Sequence, residues 1–159
     1  MPTLEFFCSV VAEHGMKKIH KRGASTVELP FLMSCALYLL DRRLWILGVR
    51  YPYRGTRFDL IARDPRFRSH VILVEAKYRS DGRAVRPSEV QRFADELDTV
   101  RGRGALIYVQ GIFMTNSSIS KEAIRLAERY KIKIYDNVPI IFRVVNGRNR
   151  KGLSKEKGA

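Results

Sequence analysis

The sequence has few of the residues that build disulfide frameworks, thiolate centres or membrane spans. Its two cysteines, Cys8 and Cys35, lie far apart, and its three histidines share no metal-ligand spacing. Two isolated cysteines cannot complete a zinc site, so both are interpreted as buried small hydrophobic residues. No apolar run approaches the ~20 residues that span a bilayer, and the first residues lack a secretory signal. We therefore expect a cytoplasmic protein without disulfides or membrane segments.

Negative charge is also scarce. The 159 residues include 30 Lys and Arg but only 16 Asp and Glu, which gives a formal net charge of +14. Folding does not require this imbalance, because self-repulsion costs stability. A polyanion is the simplest partner, since each neutralised phosphate releases a condensed counterion. The basic residues are scattered over loops and do not form one amphipathic helix, so we expect nucleic acid and not a membrane as the partner.

The hydrophobic pattern predicts one core domain with basic extensions. Residues 1–24 are predicted to form an N-terminal helix and a basic connector, residues 25–145 the core, and residues 146–159 a flexible basic tail. Within the core, the periodicity predicts a helix that ends by Asp41, strands at 44–50, 57–63 and 71–78, a helix at 87–100, a long strand at 105–115 bent at Gln110-Gly111, a further helix, and a strand at 132–135.

The third predicted strand is apolar on both faces, which is typical of a central strand covered on both sides. The residues between the first two strands, 51–55, are expected to form a turn. The order helix, three strands, helix, strand, helix, strand predicts an α/β (α+β) fold, in which a mixed sheet carries helices on both faces.

Three charged residues on the second and third strands form the main candidate for catalysis. If the connecting loop is symmetric, Asp59 pairs with Glu75, and opposed Cβ atoms are roughly 4.5–5.5 Å apart. Lys77 follows two residues later on the same face as Glu75. A divalent cation relieves the repulsion between the carboxylates, and Mg²⁺ accepts one or two of them. With Lys77 close by, these groups suffice for phosphodiester hydrolysis.

The same spacing also fits an interstrand salt bridge that involves Lys77 or an arginine. Two observations favour the catalytic interpretation. Glu75 emerges directly from an apolar run, 71–74, where an idle charge would be costly. Carboxylates are also the scarce charge in this basic sequence.

Two segments resemble a known superfamily. Phe58-Asp59-Leu60-Ile61-Ala62 and then Val74-Glu75-Ala76-Lys77 look like the PD-(D/E)xK nucleases, and residues 111–123, 127–128 and 132–136 are similar to the closing segment of Mrr-like restriction endonuclease domains. The resemblance implies a restriction-endonuclease-like αβββαβ core with an additional helix and strand. It also implies a Mg²⁺- or Mn²⁺-dependent DNA endonuclease in which Asp59 and Glu75 bind metal and Lys77 is the catalytic lysine.

Two further residues acquire possible roles through this resemblance. Gln91, on the helix after the third strand, falls where many members place an extra active-site polar residue. Glu28, on the first helix, matches an acidic residue that often completes the metal site. Each also has a structural interpretation: Gln91 as a solvated helix residue, and Glu28 as the last residue of a capping box, Ser25-Thr26-Val27-Glu28.

The sequence departs from Mrr-like domains before the first acid, where Arg54-Gly55-Thr56-Arg57 replaces an Asp-Gly-Gly-like segment. The length leaves little room for a separate recognition domain. We therefore expect a free-standing, homodimeric nuclease that is similar to archaeal Holliday-junction resolvases. Those enzymes have an Arg-Gly pair and a nearby Glu at the N-terminus. Arg22-Gly23 and Glu28 resemble this pattern, at a spacing that is one residue longer.

Arginines of the connector and loops are predicted to contact nucleic acid: Arg22, Arg54, Arg57, Arg66, Arg68, Arg79 and Arg83. The alternative to an enzyme is a non-catalytic nucleic-acid-binding protein that retains the nuclease fold. In that case Tyr51, Tyr53 and Phe67 would stack on unpaired bases. Only the enzyme requires a metal at a carboxylate pair.

Overall fold

The computed structural model describes residues 28–67, 69–102 and 108–141. The predictions for residues 1–24 and 146–159, and for Cys8, Arg22 and Arg68, lie outside these residues. The elements follow the predicted order and are α1 (Glu28–Asp41), β1 (Trp45–Tyr53), β2 (Thr56–Arg63), β3 (His70–Lys77), α2 (Pro87–Arg101), β4 (Tyr108–Thr115), α3 (Lys121–Arg129) and β5 (Ile132–Tyr135).

The five strands form one sheet in the order β1-β2-β3-β4-β5. β1, β2 and β3 are antiparallel neighbours, whereas β3–β4 and β4–β5 are parallel. Parallel neighbours need crossover connections, and α2 and α3 supply them. The predicted mixed α/β fold is therefore confirmed. Among the described residues, no helix is long and apolar enough to cross a membrane.

β3 is the central strand, as its apolar pattern predicted. Val71 and Leu73 join the core that α2 and α3 cover, while Ile72 and Val74 join the core under α1. Cys35 of α1 is completely buried in that second core and behaves as the predicted small hydrophobic residue. Alternation places Glu75 and Lys77 on the α2 side of β3.

The prediction of a turn at residues 51–55 is wrong in extent, because β1 continues to Tyr53. β1 is an edge strand, where a proline such as Pro52 is tolerated without breaking the interior of a sheet. The turn consists of Arg54 and Gly55, with φ angles of 50° and 83°. These positive values are those of a tight hairpin turn.

Candidate active site

One cavity of about 170 Å³ lies where the N-terminus of α1 approaches β2 and β3. Its lining includes four of the five residues that the sequence predicted for catalysis. The lining residues are Glu28, Phe31, Leu32, Arg50, Asp59, Glu75, Ala76, Lys77 and Tyr78.

The pairing of β2 with β3 brings Asp59 to Glu75. The ladder includes Leu60 with Val74 and Ile61 with Leu73, and this register continued by one residue places Asp59 opposite Glu75, as predicted. The backbone N–H of Ala76 donates a hydrogen bond to Asp59 Oδ2 at 2.9 Å. This bond connects the two strands where the ladder ends and fixes the orientation of the Asp59 carboxylate.

The environment of Asp59 disfavours its charge. Burial raises the pKa of Asp59, and the charge of Glu28 acts in the same direction. The hydrogen bond from Ala76 and the charges of Arg50 and Arg57 oppose this rise only in part. A carboxylate in such a place is stabilised when a cation binds to it.

Glu75 experiences the same conflict. Burial, followed by the charges of Asp59 and Glu96, raises the pKa of Glu75 to about 7. Arg92 of α2 opposes this effect, because its Nη2 donates a hydrogen bond to Glu75 Oε1 at 3.0 Å. The influence of Asp59 on Glu75 means that the two carboxyl groups share one electrostatic environment.

Lys77 is held on the α2 side of the cavity by Glu89. Lys77 Nζ lies 3.6 Å from Glu89 Oε1. Glu89 Oε2 accepts hydrogen bonds from the backbone N–H of Arg86 at 3.0 Å and from the Arg79 guanidinium. Burial alone would raise the pKa of Glu89, but the Arg86 hydrogen bond and the charges of Arg79 and Lys77 outweigh it and lower the pKa. The lowered pKa favours the charged form of Glu89, which is therefore an oriented partner for the lysine.

Glu28 is the first residue of α1 and lies at the cavity with its side chain half exposed. Its Oε2 lies 3.7 Å from Arg50 Nη2. This position is compatible with a role in the site, and the capping-box interpretation stays a prediction because residues 25–27 lie outside the described residues.

The structure does not bring Gln91 into the cavity, and this prediction is corrected. Gln91 Nε2 donates hydrogen bonds to Asp95 Oδ1 at 2.7 Å and to the Tyr130 hydroxyl at 3.1 Å. Each helical residue is rotated by about 100° from the one before it. Gln91 is therefore about 160° around α2 from Glu89 and about 100° from Arg92, the two residues that contact the site.

The sequence analysis missed the three residues of α2 that do face the site, Glu89, Arg92 and Glu96. They are separated by three and four residues, which places them on one helical face. The available signal was a set of charged residues at helical spacing on α2, the helix that follows the Glu-x-Lys segment of β3. Arg50 of β1, which also lines the cavity, has a φ of 48° and gave no comparable signal in the sequence.

The predicted nucleic-acid-binding arginines divide into two groups. Arg57, Arg66 and Arg83 are exposed, although Arg66 is bound to Asp64 at 2.6 Å and Arg83 lies 3.5 Å from Asp81. Arg54 and Arg79 point inward: Arg54 Nη1 donates to the Val100 carbonyl at 3.1 Å, and Arg79 pairs with Glu89. Arg22 and Arg68 lie outside the described residues, so nucleic-acid contact stays a prediction for the whole set.

Within the described part of the chain, no group of three or more His, Cys, Asp or Glu side chains could hold a metal ion. Two carboxylates nevertheless fit Mg²⁺ or Mn²⁺. Mg²⁺ binds through one or two carboxylates and completes its octahedron with water and phosphate oxygens. Asp59 and Glu75 provide hard oxygen donors, and their raised pKa values reflect burial in the first place, with a nearby acidic charge adding to the rise in each case.

Comparison with solved structures shows the fold. A repair endonuclease from Pyrococcus abyssi is 17% identical, with 75% of this chain and 50% of that chain covered and a TM-score of 0.55. EndoMS in complex with double-stranded DNA is 16% identical, with 69% and 46% covered and a TM-score of 0.52. This chain thus spans about half the length of these two relatives.

Comparison with curated proteins found no match. The family model described as "Restriction endonuclease", which represents the Mrr catalytic domain, matches residues 39–141. This range is more than half of the chain and contains Asp59, Glu75, Lys77 and all of α2. Together with the αβββαβ order and the site on β2 and β3, the match shows that the chain belongs to the Mrr-type restriction endonuclease family.

Proposed function

We propose that this protein is a divalent-metal-dependent DNA endonuclease that hydrolyses phosphodiester bonds at the cavity between α1, β2 and β3. The observation that carries the proposal is the placement of Asp59, Glu75 and Lys77 on one cavity. The carboxyl groups there have raised pKa values chiefly because of burial, and the charge of Asp59 adds to the rise for Glu75. An arrangement that costs stability without a ligand is expected of a site that binds a cation.

Asp59 and Glu75 would hold Mg²⁺ or Mn²⁺ as a two-carboxylate site, and Glu28 at the same cavity would have to leave Arg50 and move closer to become a third donor. When bound, such a cation lowers the pKa of a coordinated water and offsets negative charge on the phosphate. The Ala76 N–H keeps the Asp59 carboxylate oriented. Lys77, an ammonium held by Glu89, is positioned to donate a hydrogen bond to the attacking water or to the developing negative charge.

DNA is the proposed substrate. The net charge of +14 favours a polyanion, and the exposed Arg57 and Arg83 offer contacts with phosphates. The similar EndoMS structure contains double-stranded DNA. We propose both linear and branched DNA, including four-way junctions, as substrate forms to be compared.

A homodimer is the proposed assembly. Cutting both strands of a duplex requires two active sites, and a C2 dimer is the commonest way to supply them. The chain has a mass of 18.4 kDa, and light scattering after size exclusion should give twice this value. A monomer that nicks one strand at a time would contradict this assembly without affecting the site.

The test of the proposed activity is incubation of supercoiled, linear and four-way-junction DNA with Mg²⁺ or Mn²⁺. Wild type should cleave, and Asp59→Asn, Glu75→Gln and Lys77→Met should lose at least about a hundredfold in rate. Glu122→Gln, which changes an exposed acid in the first turn of α3, is the matched control and should cleave like wild type. Cleavage unchanged in Asp59→Asn or Glu75→Gln would refute the site.

One observation supports the alternative, a non-catalytic nucleic-acid-binding protein. Glu75 and Lys77 each have an internal partner of opposite charge, Arg92 and Glu89, so the pattern also satisfies the salt-bridge interpretation. A metal titration separates the two functions. The alternative predicts DNA binding that weakens with salt. It also predicts that Glu75 makes no contribution to any binding of Mn²⁺.

A further inference from the structure

Arg92 is shared between two carboxylates at the edge of the candidate site. Its Nη2 lies 3.0 Å from Glu75 Oε1, and its Nε lies 3.9 Å from Glu96 Oε1. The Arg92 side chain is 62% exposed, whereas the Glu75 side chain is 15% exposed. A largely solvent-exposed cation therefore contacts a carboxylate that is mostly buried.

We propose that Arg92 is a displaceable counter-cation of the metal site: it neutralises Glu75 in the metal-free protein and yields that carboxylate to a divalent ion. This inference rests on the proposed function, because it assumes that Glu75 is a metal ligand. It assigns to Arg92 a positioning role that the Asp59, Glu75 and Lys77 pattern does not include.

Competition follows from the geometry of the contact. The guanidinium donates to Oε1 of Glu75, one of only two oxygens that this carboxylate can offer to an ion. A divalent ion at Glu75 would also place positive charge beside the guanidinium, which is unfavourable at such short range. While the guanidinium keeps Oε1, a divalent ion can use only Oε2 of Glu75, and the repulsion between the two cations favours withdrawal of Arg92.

Arg92 also has a second acidic partner, Glu96, that it can keep when it leaves Glu75. Glu96 lies one helical turn further along α2, at the i,i+4 spacing that favours ion pairs on a helix surface. In Glu96 the guanidinium keeps a carboxylate partner, and the divalent ion takes over the neutralisation of the mostly buried Glu75. The divalent ion gains the charge of Asp59 as well as that of Glu75, whereas Arg92 has a hydrogen bond only to Glu75 of these two acids.

The inference predicts that removing Arg92 strengthens metal binding in the absence of DNA. The experiment is calorimetric titration of Mn²⁺ into wild type, Arg92→Gln, Arg57→Gln and Glu75→Gln. Arg92→Gln should bind Mn²⁺ at least about fivefold more tightly than wild type, the lower end of the usual coupling between two interactions in one protein. Thermal melts without metal verify that each variant is folded.

Arg57→Gln is the matched control. Arg57 is an exposed arginine whose charge acts on Asp59, so its removal reports the general effect of deleting one positive charge near the site. If Arg57→Gln strengthens Mn²⁺ binding as much as Arg92→Gln does, or if Arg92→Gln binds like wild type, the inference is overturned.

A second measurement follows Arg92 directly. The ¹⁵N–¹H signal of Arg92 Nε should shift when Mg²⁺ saturates wild type and should be indifferent to Mg²⁺ in Glu75→Gln; an unchanged signal in wild type overturns the inference. Failure of the proposed function looks different. In that case wild type binds no Mn²⁺, or Glu75→Gln binds it as wild type does.

Discussion

Glu75 combines a buried position with a charge, and this makes stability depend on pH. Its pKa rises from 4.5 to about 7 on folding, chiefly through burial. A raised pKa means that the folded state binds the proton more tightly than the unfolded chain. The resulting stabilisation is complete below about pH 4.5 and is lost as the pH rises to about 7.

Replacing Glu75 with Gln should remove this loss, because the amide is neutral at every pH. Between about pH 4.5 and pH 8, the free energy of unfolding of metal-free wild type should fall by about 2–3 kcal/mol relative to Glu75→Gln. Urea titrations in EDTA across this range measure the difference. Parallel curves for the two proteins would mean that the Glu75 carboxyl is not destabilised in the fold.

Glu89 provides a second prediction at the residue scale. Glu89→Gln keeps a side chain that can close a capping box but removes the charge that holds Lys77. Because small displacements of a catalytic group are costly, turnover of the folded variant should fall about ten- to hundredfold while the affinity for DNA changes little, and the melting temperature should fall because Arg79 also loses its charged partner. The comparison is with Glu122→Gln, and equal turnover in both variants would exclude a positioning role for Glu89.

The sequence alone was sufficient to predict that Asp59, Glu75 and Lys77 lie close together, because strand alternation is a short-range rule, and the three residues line one cavity. It failed for Gln91 because the contacts of a helical residue depend on which face of the helix packs. Val90, Phe93, Ala94 and Leu97 of α2 are buried against the sheet, and this rotation aims Arg92 at Glu75 and Gln91 at Tyr130. That rotation is a property of the tertiary structure.

At the scale of elements, the order and type of the helices and strands were predictable from the sequence, whereas the structural role of Gly111 was not. The Gln110-Gly111 dipeptide predicted a bend, but β4 runs without interruption from Tyr108 to Thr115. Gly111 is instead needed because α2 crosses β4 closely at this point. A Cβ atom there would overlap the Leu97 side chain and lie 3.3 Å from Phe93. Such close approaches appear only when two elements are packed.

Gly111→Ala should therefore push α2 away from β4. We expect a loss of about 1–3 kcal/mol in the free energy of unfolding, the usual cost of overpacking a core. Gly102→Ala is the control, since Gly102 has φ −65° and a Cβ there would meet only the Asp98 carbonyl at 3.5 Å. Chemical denaturation should find the control neutral or slightly more stable; equal stabilities would disprove the close approach.

For the whole molecule, the dominant property is the excess of positive charge. Charge of one sign disfavours the compact state and is therefore informative about the partner more than about the fold. Several described cations have an acidic partner, among them Arg66 with Asp64 and Arg79 with Glu89, whereas Arg57 is exposed and influences Asp59 through space. With 30 Lys and Arg against 16 Asp and Glu, internal pairing cannot neutralise the excess, which favours a polyanion as partner.

Binding to DNA should accordingly weaken steeply with salt. Each phosphate contact contributes about 0.9 to the slope of log affinity against log salt concentration, so several contacts should cost orders of magnitude between about 50 and 200 mM salt. Fluorescence anisotropy in EDTA measures this slope without cleavage.

Arg57→Gln should reduce the slope by about one, since it removes one phosphate contact. Arg101→Gln is the comparison, because Arg101 already donates to the Val109 and Tyr130 carbonyls and should leave the slope nearly unchanged. A wild-type slope near zero would mean that the positive charge serves something other than DNA.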